Sequence, residues 1–216
     1  MNQNNTGFMG GIPPVTRNLL IINALIFFAQ YLLGINKGQF SIIDWYCALF
    51  PINSEYFFPH QIITYMFLHG SIGHVFFNMF AVYMFGRTLE MVWGSKKFFI
   101  YYIITGIGAG AAQLIVTYLT GSPYPTVGAS GAVFGILVAF GMLFPNVELM
   151  LIFPPIPIKA KWFVIGYGAL ELFLGFADRA GDNVAHFAHL GGLFVGLIIL
   201  LYWRKKGFMT NGNIFK

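Results

Sequence analysis

The sequence predicts an all-α membrane protein, a compact bundle of six transmembrane helices with the N- and C-termini cytoplasmic. Three observations carry this. Apolar residues make up 57% of the chain and charged residues only 9%, against about 25% charged in a soluble domain. No soluble core of 216 residues would leave so little polar surface. The apolar residues form six runs, most of them near the roughly 20 residues that a helix needs to cross a bilayer. Finally, the basic residues sit at the edges of these runs, where membrane topology is set.

The runs are Asn18–Leu33, Ile72–Trp93, Phe98–Leu119, Ala129–Phe144, Trp162–Phe176 and Val184–Trp203. The fourth is short, and Pro145 stops it. With a cytoplasmic N-terminus, ten basic residues fall inside: Arg17, Arg87, Lys96, Lys97, Lys159, Lys161, Arg204, Lys205, Lys206 and Lys216. Two, Lys37 and Arg179, fall outside. The split favours this topology over its inverse and agrees with an even number of spans. Three parts follow: a tail over 1–17, a helical domain over 18–203 and a second tail over 204–216. The tail over 1–17 is polar and glycine-rich, with no charged region leading into a short cleavable core, so a signal peptide is not expected.

The first connection, Gly34–Ser71, is long and rich in aromatic residues, including Phe40, Trp45, Tyr46, Phe50, Tyr56, Phe57 and Phe58. Such residues favour the membrane interface, which predicts a partly inserted, partly helical outer loop. The connection Asn146–Lys161 carries Pro154, Pro155 and Pro157 and reads as a plain connector. Cys47 is the sole cysteine, so neither an internal disulfide nor a four-cysteine metal site can form. The formal charge of +5 reflects the topology signals and implies no nucleic-acid partner.

The reactive side chains gather on one side. All five histidines, His60, His69, His74, His186 and His189, fall in the outer half of this topology. His74 and Asn78 open the second run, Ser130 opens the fourth, and His186 and His189 open the sixth. These three runs all descend from the outer face. The 15 residues Ser130–Phe144 make about 22 Å of helix at 1.5 Å per residue, less than the roughly 30 Å of hydrocarbon. Ser130 is therefore expected several Å below the outer surface, in a cavity open to water.

Serine becomes a nucleophile when a base takes its proton, and a neutral histidine can do so near pH 7. Candidate donors to a tetrahedral intermediate are His74, Asn78 and the Ser130 N–H, at the positive end of a helix dipole. Gly131 and Gly135 are four apart, as are Gly192 and Gly196. Such small faces let helices approach closely, bringing His189 toward Ser130. His189 is deeper than His186, and Phe134, one turn below Ser130, is placed to pack on its ring; depth together with the motif match described next makes His189 the expected base. No carboxylate is expected in reach: Asp178 and Asp182 fall in the outer loop and Glu171 lies within the fifth run, where a structural partner is expected. That favours a Ser–His dyad. Arg87 and Glu90, three apart, are expected to pair.

Four motifs carry a resemblance: His69-Gly-Ser-Ile-Gly-His74-Val-Phe-Phe-Asn78, Gly86-xxx-Glu90-xxx-Gly94, Gly128-Ala-Ser130-Gly131, and Ala188-His189-Leu-Gly-Gly192-xxx-Gly196. In this order and in these runs they resemble the rhomboid family of intramembrane serine proteases. The resemblance implies a six-helix bundle that cleaves single-span or multi-span transmembrane protein substrates near their outer ends. It implies Ser130 as nucleophile, His189 as base, His74 and Asn78 in the oxyanion hole and Phe134 as the ring that packs on the base. One departure is His60-Gln61, where many relatives carry Trp-Arg.

The resemblance is to the minimal bacterial form, without a cytosolic N-terminal domain or a seventh helix, in the cytoplasmic (inner) membrane. No HExxH pattern is present, and neither a metal nor another cofactor is expected. The alternative is a non-catalytic relative that binds transmembrane segments. Such relatives typically lack the serine or the histidine, and this chain has both.

Overall fold

The computed structural model describes residues 11–34, 40–151, 154–177 and 184–208. Lys37, Asp178, Arg179, Asp182 and Lys216 lie outside the described residues.

Helix α1, Pro14–Leu33, begins with proline at its first turn, where a missing N–H is harmless. Its free amides are met from elsewhere in the chain. Val15 N–H donates to Glu90 Oε1 at 2.9 Å, and the Thr16 N–H and hydroxyl both donate to Oε2 at 2.7 Å. Ser95 adds a fourth bond to this carboxylate at 2.7 Å. The expected Arg87–Glu90 pair is therefore replaced. Glu90 caps α1, because unmet amides at a helix start are a stronger demand than an exposed ion pair. Arg87 instead stands 5.9 Å from the centre of the Tyr83 ring.

The long connection is partly helical, as its composition suggests. It contains α2, Ile42–Cys47, and α3, Gln61–Thr64, which runs into a 3₁₀ turn, Tyr65–Phe67. Ser41 and Asp44 form a reciprocal capping box on α2. Buried Gln30 of α1 donates to Asp44 and accepts from the His69 amide, so it ties α1 to both ends of the loop. His60 and Gln61 anchor the loop in their own way. The His60 ring lies 2.8 Å from the Tyr46 carbonyl, and Gln61 donates to the Tyr56 carbonyl at 2.9 Å.

The second apolar run is one helical stretch in three parts: α4, Ile72–Ala81, a π turn, Val82–Gly86, and α5, Arg87–Trp93. Helix α6, Ser95–Thr120, starts after Gly94 and ends at Gly121, both with positive φ. Helix α7, Ser130–Leu143, is the centre of the molecule, and every residue from Gly131 to Gly141 is buried. Its chief neighbours are α6 and α9, His186–Lys205. Helix α8, Ala160–Ala177, flanks this core and buries only Ala160 and Glu171.

The connector before α8 is not plain. Strands β1, Glu148–Met150, and β2, Pro157–Lys159, pair antiparallel with Leu149 opposite Ile158. Among the described residues this small antiparallel pair is the departure from an all-helical fold. Among the described residues, four helices are long and apolar enough to cross a membrane: α1, α6, α8 and α9; α7 is shorter. Their outer surfaces carry large exposed apolar side chains such as Leu25, Phe28, Leu119, Phe173 and Phe194.

Candidate active site

A seam of glycines sets the site. An added Cβ on Gly192 of α9 would overlap the Gly131 carbonyl of α7. On Gly196 it would stand 2.6 Å from the Tyr101 hydroxyl and 3.1 Å from the Gly135 Cα. On Gly135 it would stand 2.7 Å from Thr105 of α6. The three backbones approach this closely only without side chains, as small-residue seams allow.

That approach brings the first turns of α7 and α9 together. Half-buried Ser130 begins α7, and its Oγ lies 2.7 Å from His189 Nε2. The Phe134 ring lies flat on the His189 ring, with centroids 4.6 Å apart and planes at 12°. Phe134 is backed in turn by Tyr167 at 4.8 Å.

A carboxylate does reach this histidine. Glu171 Oε2 lies 2.8 Å from His189 Nδ1 and 2.6 Å from His186 Nδ1. Glu171 is 3% exposed and His189 8%. The expectation that no carboxylate stands near the base is thereby corrected. Helices α8 and α9 are neighbours, and Glu171, about two turns before the end of α8, comes level with the first turn of α9. A charged residue inside an apolar run was the available signal, since burial demands a partner. Which partner depends on the rotation of α8 about its axis, and that run does not define it.

His74 and Asn78 share helix α4, one turn apart. Ser71 caps α4 by accepting from the His74 amide at 3.1 Å. The His74 ring packs edge-on against His69, with centroids 5.0 Å apart, and its Nδ1 lies 3.4 Å from the Gly70 amide. The other ring nitrogen borders the space beside Gly128. An added Cβ on Gly128 would lie 2.7 Å from His74 Nε2 and 3.6 Å from Ser130 Oγ. Gly128 has φ +131°, a conformation that side chains resist, so this space stays open. The role of Gly128 was not legible beforehand. Asn78, also buried, donates to the His74 carbonyl at 3.0 Å. An amide nitrogen has a second hydrogen to offer. The Ser130 N–H is one of the free amides at the start of α7.

Glu171, His186 and His189 also offer donor atoms within 4.8 Å of one another, the one such group among the described residues. These atoms already satisfy each other by hydrogen bonding.

Residues 57–206 match the family model for the rhomboid domain. The chain is 25% identical over 202 residues to rhomboid protease GlpG of Photorhabdus laumondii, covering 94% of this chain and 66% of that protein. It is 33% identical over 147 residues to the mitochondrial rhomboid protein 1 of Saccharomyces cerevisiae, covering 67% and 42%. It is 29% identical over 201 residues to rhomboid protease GluP of Bacillus subtilis, covering 88% and 34%. The chain thus spans between about a third and two thirds of the length of these curated relatives. With its apolar helices and a match over most of its length, the chain is an integral membrane protein and belongs to the rhomboid family.

Proposed function

We propose that the protein is an intramembrane serine endopeptidase acting on single-span or multi-span transmembrane proteins near the outer membrane face. The observation that carries this reading is the 2.7 Å contact between Ser130 Oγ and His189 Nε2. Ser130 attacks the scissile carbonyl while its proton passes to Nε2. The oxyanion forms beside Gly128, within reach of His74 Nε2, the Ser130 N–H and the second Asn78 hydrogen. Collapse breaks the C–N bond, and the leaving amine takes the proton from Nε2. Water then repeats the sequence on the acyl-enzyme and restores Ser130. None of these steps calls for a metal or other cofactor.

The same reading gives the chain six membrane-crossing segments, with α4, its π turn and α5 forming the second and α7 the fourth. It puts both termini in the cytoplasm and the protein in a bacterial inner membrane. Gly131, Gly192 and Gly196 bring nucleophile and base together, and Phe134 holds the plane of the base.

The test is cleavage of a single-span substrate by the purified protein in lipid vesicles. Ser130→Ala and His189→Ala are each expected to abolish cleavage while the protein stays folded. Loss of such a group in a serine protease costs on the order of 10⁶ in turnover. Cleavage that persists in Ser130→Ala ends the proposal. A parent protein that binds the substrate without cutting it supports the non-catalytic alternative.

A further inference from the structure

Glu171 is the buried charge that this mechanism leaves without a part. It lies on α8, a helix largely exposed along its length, with Leu170, Leu172 and Phe173 around it facing outward. A carboxylate in such a helix is tolerated when a specific partner meets it. Here both partners are histidines of the first turn of α9, and both meet the same oxygen.

We propose that Glu171 is a positioning residue for the reaction, one that fixes the tautomer and in-plane rotation of His189 through Nδ1. This rests on Ser130 and His189 being the reacting pair. An ionised carboxylate can only accept hydrogen bonds. The His189 Nδ1, 2.8 Å away, therefore carries the hydrogen. A neutral imidazole with its hydrogen on Nδ1 has its lone pair on Nε2, the nitrogen that faces Ser130 Oγ at 2.7 Å. In the opposite tautomer two lone pairs would oppose each other at Glu171, and Nε2 could not accept the serine proton.

The proton count is closed. The Ser130 hydrogen moves to Nε2, the hydrogen on Nδ1 stays there, and Glu171 remains ionised beside the imidazolium. The Nε2 hydrogen leaves with the amine. Phe134 and Glu171 restrain the ring in different ways. The stacked phenyl holds the plane of the imidazole, and the carboxylate stops it from turning within that plane. His186, donating to the same oxygen at 2.6 Å, keeps the carboxylate from following the ring.

The full chain in lipid vesicles provides the test, comparing the parent with Glu171→Gln and Glu171→Asp. Three quantities are measured: kcat and KM for a single-span substrate, the rate at which a fluorophosphonate phosphonylates Ser130 with loss of fluoride, and the ¹⁵N spectrum of the histidine rings. In another serine protease the change of the orienting carboxylate to its amide, with geometry intact, lowers kcat by about 10⁴. Here Glu171→Gln is expected to lower kcat and the phosphonylation rate by at least about 100-fold. KM should stay within about threefold, since a positioning residue acts on turnover rather than on substrate binding.

Glu171→Asp should recover part of the loss, and the parent spectrum should show His189 protonated at Nδ1. A Glu171→Gln variant with kcat within threefold of the parent overturns the proposal, as does a parent His189 protonated at Nε2. If neither variant folds, the parent spectrum decides alone. Absence of Ser130-dependent cleavage in the parent overturns the proposed function instead, and the spectrum still reports on Glu171.

Discussion

Phe134 and His189 lie face to face across the junction of α7 and α9, with centroids 4.6 Å apart and ring planes within 12° of parallel. The two residues sit on different helices, so the stack reports how those helices are rotated. Phe134 is one turn below Ser130, so the helix that carries Ser130 also holds the plane of the His189 ring. Phe134→Ala is expected to lower kcat about 10-fold with little change in KM, because a misplaced catalytic group loses rate rather than binding. Phe134→Tyr keeps the ring and should retain most activity. Steady-state kinetics in vesicles check this, and equal rates for Phe134→Ala and the parent would remove the stack from the mechanism.

Gly192 has no room for a methyl group. The neighbour it would strike is the backbone carbonyl of Gly131, which cannot rotate away. Overpacking costs about 1–3 kcal/mol where side chains can adjust, and Gly192→Ala should reach or exceed the top of that range. Gly166 on α8 meets nothing within 4 Å, so Gly166→Ala should leave stability unchanged. Thermal unfolding of both variants in the same detergent compares them directly. A Gly192→Ala protein as stable as Gly166→Ala would contradict the close approach of α7 and α9.

Glu90 meets the first amides of α1 from 75 residues away. Glu90→Ala leaves the Val15 and Thr16 amides without acceptors, at a cost of about 1–3 kcal/mol. Hydrogen exchange should accelerate at these two positions before it does elsewhere in α1. Unchanged exchange there would mean that Glu90 does not cap the helix in the membrane-embedded protein.

His69, in the loop before α4, is fully buried. Burial pushes its imidazole down to about 3 from the usual 6.5. The unfolded chain therefore binds a proton that the folded chain refuses. The resulting stability is fully present above about 6.5 and is lost progressively as pH falls from there toward 3. The unfolding midpoint in detergent should drop between pH 7 and pH 5, and His69→Asn should flatten that slope. An equal slope in both proteins would assign the acid sensitivity to other groups.

The helices were legible because an apolar run of bilayer length has few other forms to adopt. Ser130, His74 and His189 could be brought to one side from helix parity and basic residues alone. What stayed hidden depends on helix rotation and on contacts between distant residues. Glu171 is visible as a charge in an apolar run, yet nothing in that run says which way it faces. Glu90 lies three residues from Arg87, which suggests a local pair, whereas its partners are the amides at the start of α1. The hairpin 148–159 was obscured by its prolines, which sit at Pro157 on a strand and between the strands. Gly128 shows its purpose only once His74 is seen beside the gap it leaves.

Helix α7 is buried on every side from Gly131 to Gly141, so it meets protein where the other long helices meet lipid. Its height is therefore set by its seams with α6 and α9. When a bilayer is thinner or thicker than the protein's apolar belt, the strain falls on the lipid-facing helices, which can tilt to absorb it. The Ser130 end of α7 is insulated from that mismatch. The spacing between Ser130 and His189 is thus a property of the fold rather than of the surrounding lipid, and the same geometry can be kept in membranes of different thickness.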